Sequence, residues 1–262
     1  MSRGRPRLSQ HFLHDRRTAR RIAGSLRAPP GARVLEIGPG EGALTGPLLE
    51  RGWRVVAVEL DAALAGALER RCPSGDLTVV RGDVLDYEPE GKGPLYVIGN
   101  LPYAVTSPIL FHLLDLADRI VIPEIVVMIQ REVAERLAAS PGTRAYGALT
   151  VGVALSARVE VLFEVGPGQF RPPPKVRSTV VRLVPDGPPG LDRDRRERVR
   201  RLVRTAFGQR RKQLRNSLRA ELVLADLGGV DAVPGIDLKR RPETLGVEEW
   251  MALEAALTRF LP

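Results

Sequence analysis

The sequence predicts an α/β fold: a Rossmann-like, doubly wound and mostly parallel sheet, followed by a small C-terminal helical domain. Short apolar runs alternate with helix-length segments, and a glycine-rich turn follows the first run. After a stretch rich in proline and glycine, apolar residues recur at helical spacing. A chain of 262 residues with 44% hydrophobic residues is long enough for one large domain and one smaller domain.

Five apolar runs are predicted to be buried strands. Continuous rather than alternating apolarity is typical of strands covered on both faces, which favours a parallel sheet with right-handed crossovers. A later segment, residues 176–184, alternates valines with arginines and is predicted to add a strand near the end of the sheet. The five runs are residues 34–37, 55–58, 77–80, 95–98 and 125–129.

The domain boundary is predicted near residues 185–192, PDGPPGLD, which concentrate proline, glycine and aspartate. A first domain would then cover residues 1–186 and a second domain residues 187–262. In the second, apolar residues such as Leu214 and Leu218 lie one helical turn apart.

Positive charge is concentrated in two segments. The chain has 40 basic and 31 acidic residues, and residues 1–27 and 193–219 carry net charges of +7 and +10, so the remainder sums to about −8. Such segregation is what a phosphate-binding face requires, and it indicates a polyanionic partner. From charge alone, a solvated helix face with a disordered tail remains the alternative.

Composition argues against several classes of protein. Cys72 is the single cysteine, so we expect no disulfide, no multi-cysteine metal site and a reducing, cytoplasmic compartment. No apolar stretch is long enough to span a bilayer, and the N-terminus lacks the apolar core of a signal peptide, so we expect no membrane partner. The lack of a long exposed apolar stripe predicts a monomer.

Residues 34–43, VLEIGPGEGA, predict a strand, a glycine-rich turn and the start of a helix. Gly38, Gly40 and Gly42 would let the backbone approach a ligand closely. Glu59 ends the next strand, twenty-one residues after Gly38, as expected for a carboxylate that accepts both hydroxyls of an adenosine ribose. Because the same spacing fits the dinucleotide fingerprint, this motif alone leaves a nicotinamide enzyme and a methyltransferase equally open.

Asp83 follows the third predicted strand, where it could accept a hydrogen bond from the adenine amino group of the same nucleoside. The alternative is a simple turn cap, a common role for aspartate after glycine. With three histidines in the chain and no serine or cysteine in a nucleophile elbow, the hydrolase and metalloenzyme hypotheses have little support.

The segment IGNLPY, residues 98–103, follows a strand at the edge where open sheets bind ligands. An adenine amino nitrogen is a poor nucleophile because its lone pair is delocalised into the ring. Two acceptors for its two hydrogens would turn the lone pair toward a methyl donor. Asn100 can supply a side-chain oxygen, and Leu101, kept extended by Pro102, can supply a carbonyl. Tyr103 would give the base a stacking face.

This chemistry needs no strong base, because the methylated nitrogen can release its proton to water. Catalysis would therefore rest on positioning the reacting groups with the base out of its stack. Taken alone, the tetrapeptide is more simply a cap of a helix that begins near Thr106. Together with the glycine turn, Glu59 and Asp83, it predicts methylation of an adenine.

Six segments resemble the KsgA family of small-subunit rRNA adenine dimethyltransferases, and the likeness runs from Ser9 to the C-terminus. It implies a class I methyltransferase fold, S-adenosylmethionine as methyl donor, and a role in small-subunit biogenesis. The substrate would be two adjacent adenines near the 3′ end of 16S rRNA, each dimethylated. Some relatives of the family methylate 23S rRNA and confer macrolide resistance. The leucine at position 101 in Asn-Leu-Pro-Tyr and the basic segment FGQRRKQLRNSL make this chain more similar to the small-subunit enzymes than to those relatives. The other segments are EIGPGEG, NLPYAVTSPIL, IQREVAERL, AYGALTV and FRPPPKVRSTVVRL.

The resemblance also implies roles for individual residues. Phe170, in QFRPPPK, matches an aromatic that would sandwich the target base against Tyr103, although without the likeness a core aromatic would be the simpler interpretation. The implied catalytic residues are Asn100, Leu101, Pro102, Tyr103 and Phe170. The implied cofactor-binding residues are His11, Leu13, Gly38, Gly40, Glu59, Asp83 and Asn100.

His11 departs from the family pattern, which usually has asparagine there, so this chain has QHFL instead of QNFL. An imidazole can still donate one hydrogen bond, and we expect cofactor binding to be retained. A protonated His11 would repel a sulfonium cation, which predicts a pH dependence in the histidine range.

The basic segment of the second domain is predicted to grip folded RNA by its phosphates, leaving the choice of adenine to the pocket. The partner would be ribosomal RNA in the small subunit or its precursor. The predicted RNA-binding residues are Arg200, Arg201, Arg204, Arg210, Arg211, Lys212 and Arg215.

Two other classes of function stay open from sequence. An NAD-dependent oxidoreductase fits the glycine turn but leaves IGNLPY and both basic segments unexplained. A nonenzymatic ribosome-assembly factor would keep the fold and the RNA binding while His11 weakens methyl transfer.

Overall fold

The computed structural model describes residues 11–188, 191–224, 232–233 and 235–258. The chain forms two compact units, one of Met1–Ala134 with Val159–Pro185, the other of Glu135–Arg158 with Asp186–Pro262. The change of unit at Pro185 falls at the predicted linker. The segment Glu135–Arg158 belongs to the second unit, whereas the sequence placed it in the first domain.

A seven-stranded sheet forms the centre of the first unit, with strand order β4-β3-β2-β5-β6-β9-β7. Strands β2 to β6 pair in parallel, and β9 pairs antiparallel to β6. The five apolar runs form β2 to β6, and the alternating segment forms β9, which confirms the predicted fold class. The strands are β2 (Arg33–Ile37), β3 (Arg54–Glu59), β4 (Leu77–Arg81), β5 (Leu95–Asn100), β6 (Ile125–Gln130), β7 (Ala157–Val165) and β9 (Ser178–Pro185).

Two helices of this unit, α1 (Arg16–Ala23) and α3 (Ala62–Arg71), begin at an aspartate whose side chain caps them. Asp15 accepts a hydrogen bond from the Thr18 amide, and Asp61 accepts from the amides of Ala63 and Leu64. Apolar side chains of these helices pack with the sheet in one cluster, which covers the strands. The helices are α1 (Arg16–Ala23), α2 (Thr45–Leu49), α3 (Ala62–Arg71) and α4 (Thr106–Leu116), and α5 (Arg131–Leu137) crosses from the first unit into the second.

A two-stranded ribbon ties the start of the described chain to a later loop. Strand β1 (Phe12–Leu13) pairs antiparallel with β8 (Phe170–Arg171), and the His14 amide donates to the Gln169 carbonyl over 2.9 Å. This pairing fixes the segment around His11 beside the loop that contains Pro172.

Arg182, on β9, is the centre of a buried ionic network. Its Nε lies 2.8 Å from Glu124 Oε2, and its guanidinium also donates to Glu160 and to the Ser25 carbonyl, each over 2.6 Å. The side chains of Arg182 and Glu124 are only 5% and 6% exposed, so the buried Glu124 charge depends on Arg182 for compensation.

The second unit packs its helices around Trp250, which is fully buried. The predicted helical pairs, such as Leu214 with Leu218, point into this core. Tyr146 joins the core and donates its hydroxyl to the Leu245 carbonyl over 2.7 Å. The elements are α6 (Ala148–Ala154), α7 (Arg193–Gly208), α8 (Leu214–Ser217), α9 (Arg219–Leu224), α10 (Val247–Thr258) and a short pair, β10 (Ala232–Val233) and β11 (Ile236–Asp237).

Candidate active site

A cavity of about 760 Å³ lies in the first unit at the carboxyl ends of the parallel strands. It is formed where β3 and β5 flank β2, the point at which the strand order reverses and where open α/β sheets bind ligands. The volume is within the range of small-molecule sites. Its walls come from the glycine turn, the ends of β3 and β5, the turn after β4, and residues 11–13.

Gly99 lets β5 lie close to β2 beside the cavity, and it is not among the residues predicted from sequence. It pairs with Ile37 across β5 and β2, and a Cβ at this position would lie 2.8 Å from the Ile37 carbonyl oxygen. Only glycine allows that approach. Its place directly before Asn100 is the signal that could have revealed it.

The glycine turn has the backbone geometry that its sequence predicts. Gly38, Gly40 and Gly42 have φ angles of 59°, 55° and 80°, a region that other residues rarely adopt. At Gly40 a Cβ would also lie 3.0 Å from the Phe12 ring, so this glycine lets the N-terminal segment pack against the turn.

Glu59 ends β3 with its carboxylate directed by the backbone. One oxygen accepts from the Gly40 amide over 3.0 Å, and the other accepts from the Asp61 amide over 2.9 Å. Each carboxylate oxygen has a second lone pair, so both can still accept a ribose hydroxyl. The residue is 4% exposed and fits the predicted role of a ribose acceptor.

Asp83 performs the capping role that the sequence left open as an alternative. Its Oδ1 accepts from the Leu85 amide over 3.1 Å at the start of a short 3₁₀ turn. Asp83 also lines the cavity. Because a carboxylate can accept several hydrogen bonds, the cap leaves it able to bind an adenine amino group as well.

The charge of the cavity wall separates the two cofactor classes that the glycine turn left open. Four carboxylate residues line it, and among the residues that the structure describes the lining includes no lysine or arginine. Such a wall repels the pyrophosphate of a dinucleotide and attracts a cation such as a sulfonium. The four residues are Glu41, Glu59, Asp61 and Asp83.

Glu36 is buried beneath this wall. Burial raises its pKa to about 7, the nearby Glu59 carboxylate adds to the rise, and a hydrogen bond from Thr45 opposes it. The Thr45 hydroxyl donates to Glu36 Oε2 over 2.7 Å. Sequence reasoning missed this pair, whose only signal is a carboxylate within an apolar strand.

Glu36→Gln should change how stability depends on pH. A folded-state pKa above the unfolded value means that the parent loses stability as pH rises from about 4.5 to about 7, by roughly 2–3 kcal/mol. Glutamine keeps an acceptor for Thr45 and does not ionise, so the variant should become the more stable protein above pH 7. Urea unfolding at pH 5 and pH 8 measures this. An equal difference between the two proteins at both pH values would contradict it.

The Asn100 motif closes the opposite side of the cavity. Asn100 Nδ2 donates to the His11 carbonyl over 3.3 Å, which orients the amide and leaves Oδ1 as an acceptor. The Leu101 amide donates to Met128 over 3.0 Å and holds the motif to β6. The Pro102 carbonyl accepts from the Thr106 hydroxyl over 3.1 Å, which ties the motif to the first residue of α4, whose N-cap is Val105.

Tyr103 lines the cavity, whereas its predicted partner Phe170 does not. The Tyr103 hydroxyl is 3.0 Å from Ser178 Oγ. Phe170 is 2% exposed and packs in the apolar cluster of the first unit. In this structure Phe170 is paired with β1 and directed into the core, so Tyr103 is the member of the predicted aromatic pair that faces the cavity, and the sandwich of a base between the two rings stays a prediction. His11 and Leu13 do line the cavity, as predicted.

The comparisons with known proteins agree with this geometry. The family model described as ribosomal RNA adenine dimethylase matches residues 1–258. The chain belongs to this family.

Curated relatives and solved structures are similar over nearly the whole length of this dimethylase. Two relatives named ribosomal RNA small subunit methyltransferase A are each 43% identical, from Alcanivorax borkumensis over 96% of this chain and 89% of the relative, and from Pseudomonas aeruginosa over 98% and 96%. A dimethyladenosine transferase from Plasmodium falciparum is 25% identical with a TM-score of 0.79, covering 95% and 98% of the two chains. The 23S rRNA methyltransferase ErmE is 30% identical with a TM-score of 0.68, covering 94% and 99%. This dimethylase is therefore an S-adenosylmethionine-dependent methyltransferase.

The predicted RNA-binding residues of the dimethylase do not share one environment. Arg200 is 6% exposed and donates to Ser156 Oγ over 2.9 Å, so its predicted surface position is corrected: it faces the core of the second unit. Arg210 is partly buried. It donates to the carbonyls of Arg144 and Thr143 over 2.8 and 3.1 Å, so it stabilises the turn that contains these two residues. The exposed members are Arg201, Arg204, Arg211, Lys212 and Arg215.

The described part of the dimethylase has neither a candidate membrane span nor a candidate metal cluster. Over those residues, no helix combines the length and apolarity needed to cross a membrane. The same residues contain no cluster of three or more His, Cys, Asp or Glu side chains that could hold a metal ion.

Proposed function

We propose that this dimethylase transfers methyl groups from S-adenosylmethionine to N6 of two adjacent adenines near the 3′ end of small-subunit rRNA. One observation carries the proposal: an acid-lined cavity joins the glycine turn to Asn100, whose amide is oriented with its oxygen available. The substrate places the enzyme where ribosomal subunits are made, in the cytoplasm, and we expect it to act as a monomer.

The residues of the cofactor half fit the methyl donor. Glu59 would hold the ribose through the free lone pairs of a carboxylate already fixed by two backbone amides. Asp83 would accept from the adenine amino group, and Gly38 and Gly40 would let the donor lie against the backbone. When bound, S-adenosylmethionine supplies an electrophilic methyl group on a sulfonium, which the surrounding carboxylates stabilise.

The residues of the other half prepare the acceptor nitrogen. Asn100 Oδ1 and the Leu101 carbonyl accept the two N6 hydrogens, which turns the nitrogen lone pair out of conjugation and toward the methyl group. Tyr103 stacks on the base and stabilises it outside its helix. After transfer, the nitrogen releases its proton to water, so these residues act by position.

Similarity favours the small-subunit substrate over the large-subunit one. The relatives named for the small subunit are 43% identical, against 30% for the 23S rRNA methyltransferase ErmE. The leucine at position 101 of the Asn-Leu-Pro-Tyr motif and the basic segment FGQRRKQLRNSL also favour the small-subunit substrate.

The decisive experiment follows labelled methyl transfer to unmethylated small subunits and, in parallel, to large subunits, with nucleoside analysis of the products. Dimethyladenosine in the small subunit alone is the expected result. Dimethyladenosine in the large subunit alone would contradict the proposal that small-subunit rRNA is the substrate. Binding to small subunits without any methyl transfer would instead identify a nonenzymatic assembly factor.

Arg211 and Lys212 should bind RNA phosphates. Both are exposed in the turn after α7. The double variant Arg211→Ala/Lys212→Ala should flatten the slope of log affinity against log salt by about 1.4–1.8, because each lost phosphate contact removes about 0.7–0.9. Binding to rRNA at several salt concentrations measures the slope.

The matched control is Arg70→Ala/Lys92→Ala, which removes two positive charges that are also exposed, from the first unit. We expect the control to bind RNA like the parent. Identical slopes for the two double variants would mean that net charge alone, and not this turn, determines RNA affinity.

A further inference from the structure

The aromatic neighbour of Tyr103 in this structure is His11. The two ring centroids are 5.8 Å apart and the ring planes are inclined by 35°. That separation is within the range of aromatic pairs. Both residues line the cavity, whereas Phe170 does not. His11 therefore occupies the neighbourhood of the target base as well as that of the cofactor.

Two backbone contacts hold the His11 ring in this position. Its Nδ1 lies 2.7 Å from the Pro172 carbonyl oxygen, which can only accept, so Nδ1 carries the proton and donates it. The next two residues, Phe12 and Leu13, pair with Arg171 and Phe170 in the β1–β8 ribbon. The ring is thus fixed through its own side chain and through the strand that follows it.

His11 also contacts the group predicted to orient the amino nitrogen. Its backbone carbonyl accepts from Asn100 Nδ2 over 3.3 Å. The same residue therefore touches the stacking ring, the acceptor amide and the loop around Pro172, three parts of one base site.

We propose that His11 is a positioning residue for the target adenine, acting through Tyr103. Its ring limits the movement of the Tyr103 ring, whose hydroxyl is held at the other end by Ser178. The flat stacking face is then present before the base arrives, which lowers the cost of ordering it. This inference rests on the proposed function, and it moves the side chain at position 11 from the cofactor to the base.

Two substitutions separate the ring from its hydrogen bond. His11→Asn keeps an N–H donor near the Nδ1 position for Pro172 but removes the ring. His11→Phe keeps a ring but removes the donor, and His11→Ala removes both. The measurements are KM and kcat with unmethylated small subunits, the Kd for S-adenosylmethionine by calorimetry, and thermal unfolding to confirm that each variant folds.

We expect the variants to change the KM for ribosomal subunits while leaving the Kd for S-adenosylmethionine nearly unchanged. His11→Asn and His11→Ala should raise KM for the subunits by about 3- to 10-fold, the change expected when an aromatic pair is lost. Their Kd for S-adenosylmethionine should stay within about twofold of the parent. His11→Phe should keep KM closer to the parent than either, because a ring can still contact Tyr103.

Three outcomes would overturn the proposal. A weakened Kd for S-adenosylmethionine with unchanged KM for subunits would return the side chain to the cofactor. A His11→Phe variant as impaired as His11→Ala would assign the effect to the Pro172 hydrogen bond. A parent protein that binds S-adenosylmethionine but methylates no subunit would contradict the proposed function itself, and the inference with it.

Discussion

Asn100→Ala should lower kcat for methyl transfer by about 100- to 1000-fold, the loss expected when one preorganised hydrogen-bonding group is removed from a reaction centre. Alanine takes away the oxygen that accepts an N6 hydrogen, so the nitrogen lone pair stays conjugated with the ring. Single-turnover methyl transfer to unmethylated small subunits measures the chemical step without product release.

Binding of the methyl donor should change much less in this variant. Glu59 and Asp83 remain in place, and Glu59 is oriented by backbone amides rather than by Asn100. The control is Asn216→Ala, which removes the same atoms from an exposed position. If the Asn100→Ala enzyme kept its methyl-transfer rate within about threefold of the parent rate, the Leu101 carbonyl alone would suffice to orient the nitrogen.

Arg182→Met should lower the free energy of unfolding by about 3–5 kcal/mol, because it leaves the Glu124 carboxylate buried without its partner. Methionine retains much of the side-chain length, so the loss reports the missing charge more than a cavity. Urea unfolding followed by circular dichroism measures it. Glu124→Gln in the same chain should recover part of the loss, since it removes the isolated charge.

An exposed pair just before the same strand provides the control. Arg177 and Glu164 contact each other over 2.6 Å, with side chains 50% and 44% exposed. Arg177→Met should change stability by no more than about 1 kcal/mol, as is usual for surface ion pairs. Equal losses in the two variants would mean that burial does not decide the strength of these pairs.

The sheet and the cofactor half of the site could be predicted because their signals are local. Strands β2 to β6 each contain a mainly apolar run, and the glycine turn requires φ angles that few other residues adopt. Glu59 was found by its distance from Gly38 along a repeating strand–helix pattern. Each of these inferences needs only neighbouring residues and a regular period.

Other features depend on contacts between distant parts of the chain. Arg200 resembles its exposed neighbours in sequence but faces Ser156 and the core. Phe170 matches a base-stacking aromatic of the family, whereas the structure pairs it with β1 and directs it inward, as the simpler interpretation of a core aromatic predicts. The segment Glu135–Arg158 joins the second unit because Tyr146, Val151 and Leu155 pack with the C-terminal helices. A single charge pattern or motif does not contain that information.

The contact between Asn100 and the His11 carbonyl has a consequence for the order of events during repeated methylation. The Asn-Leu-Pro-Tyr sequence occurs once in the chain, so in the proposed function every methyl transfer uses the same two acceptors. An adenine amino group offers them two hydrogens, but a monomethylated one offers a single hydrogen. The Asn100 amide cannot turn to compensate without breaking its bond to His11. On the proposed mechanism, the second transfer to each adenine would proceed with only one of the two acceptors engaged by a hydrogen, because a methyl group replaces the other, and partly methylated RNA should accumulate when the donor is scarce.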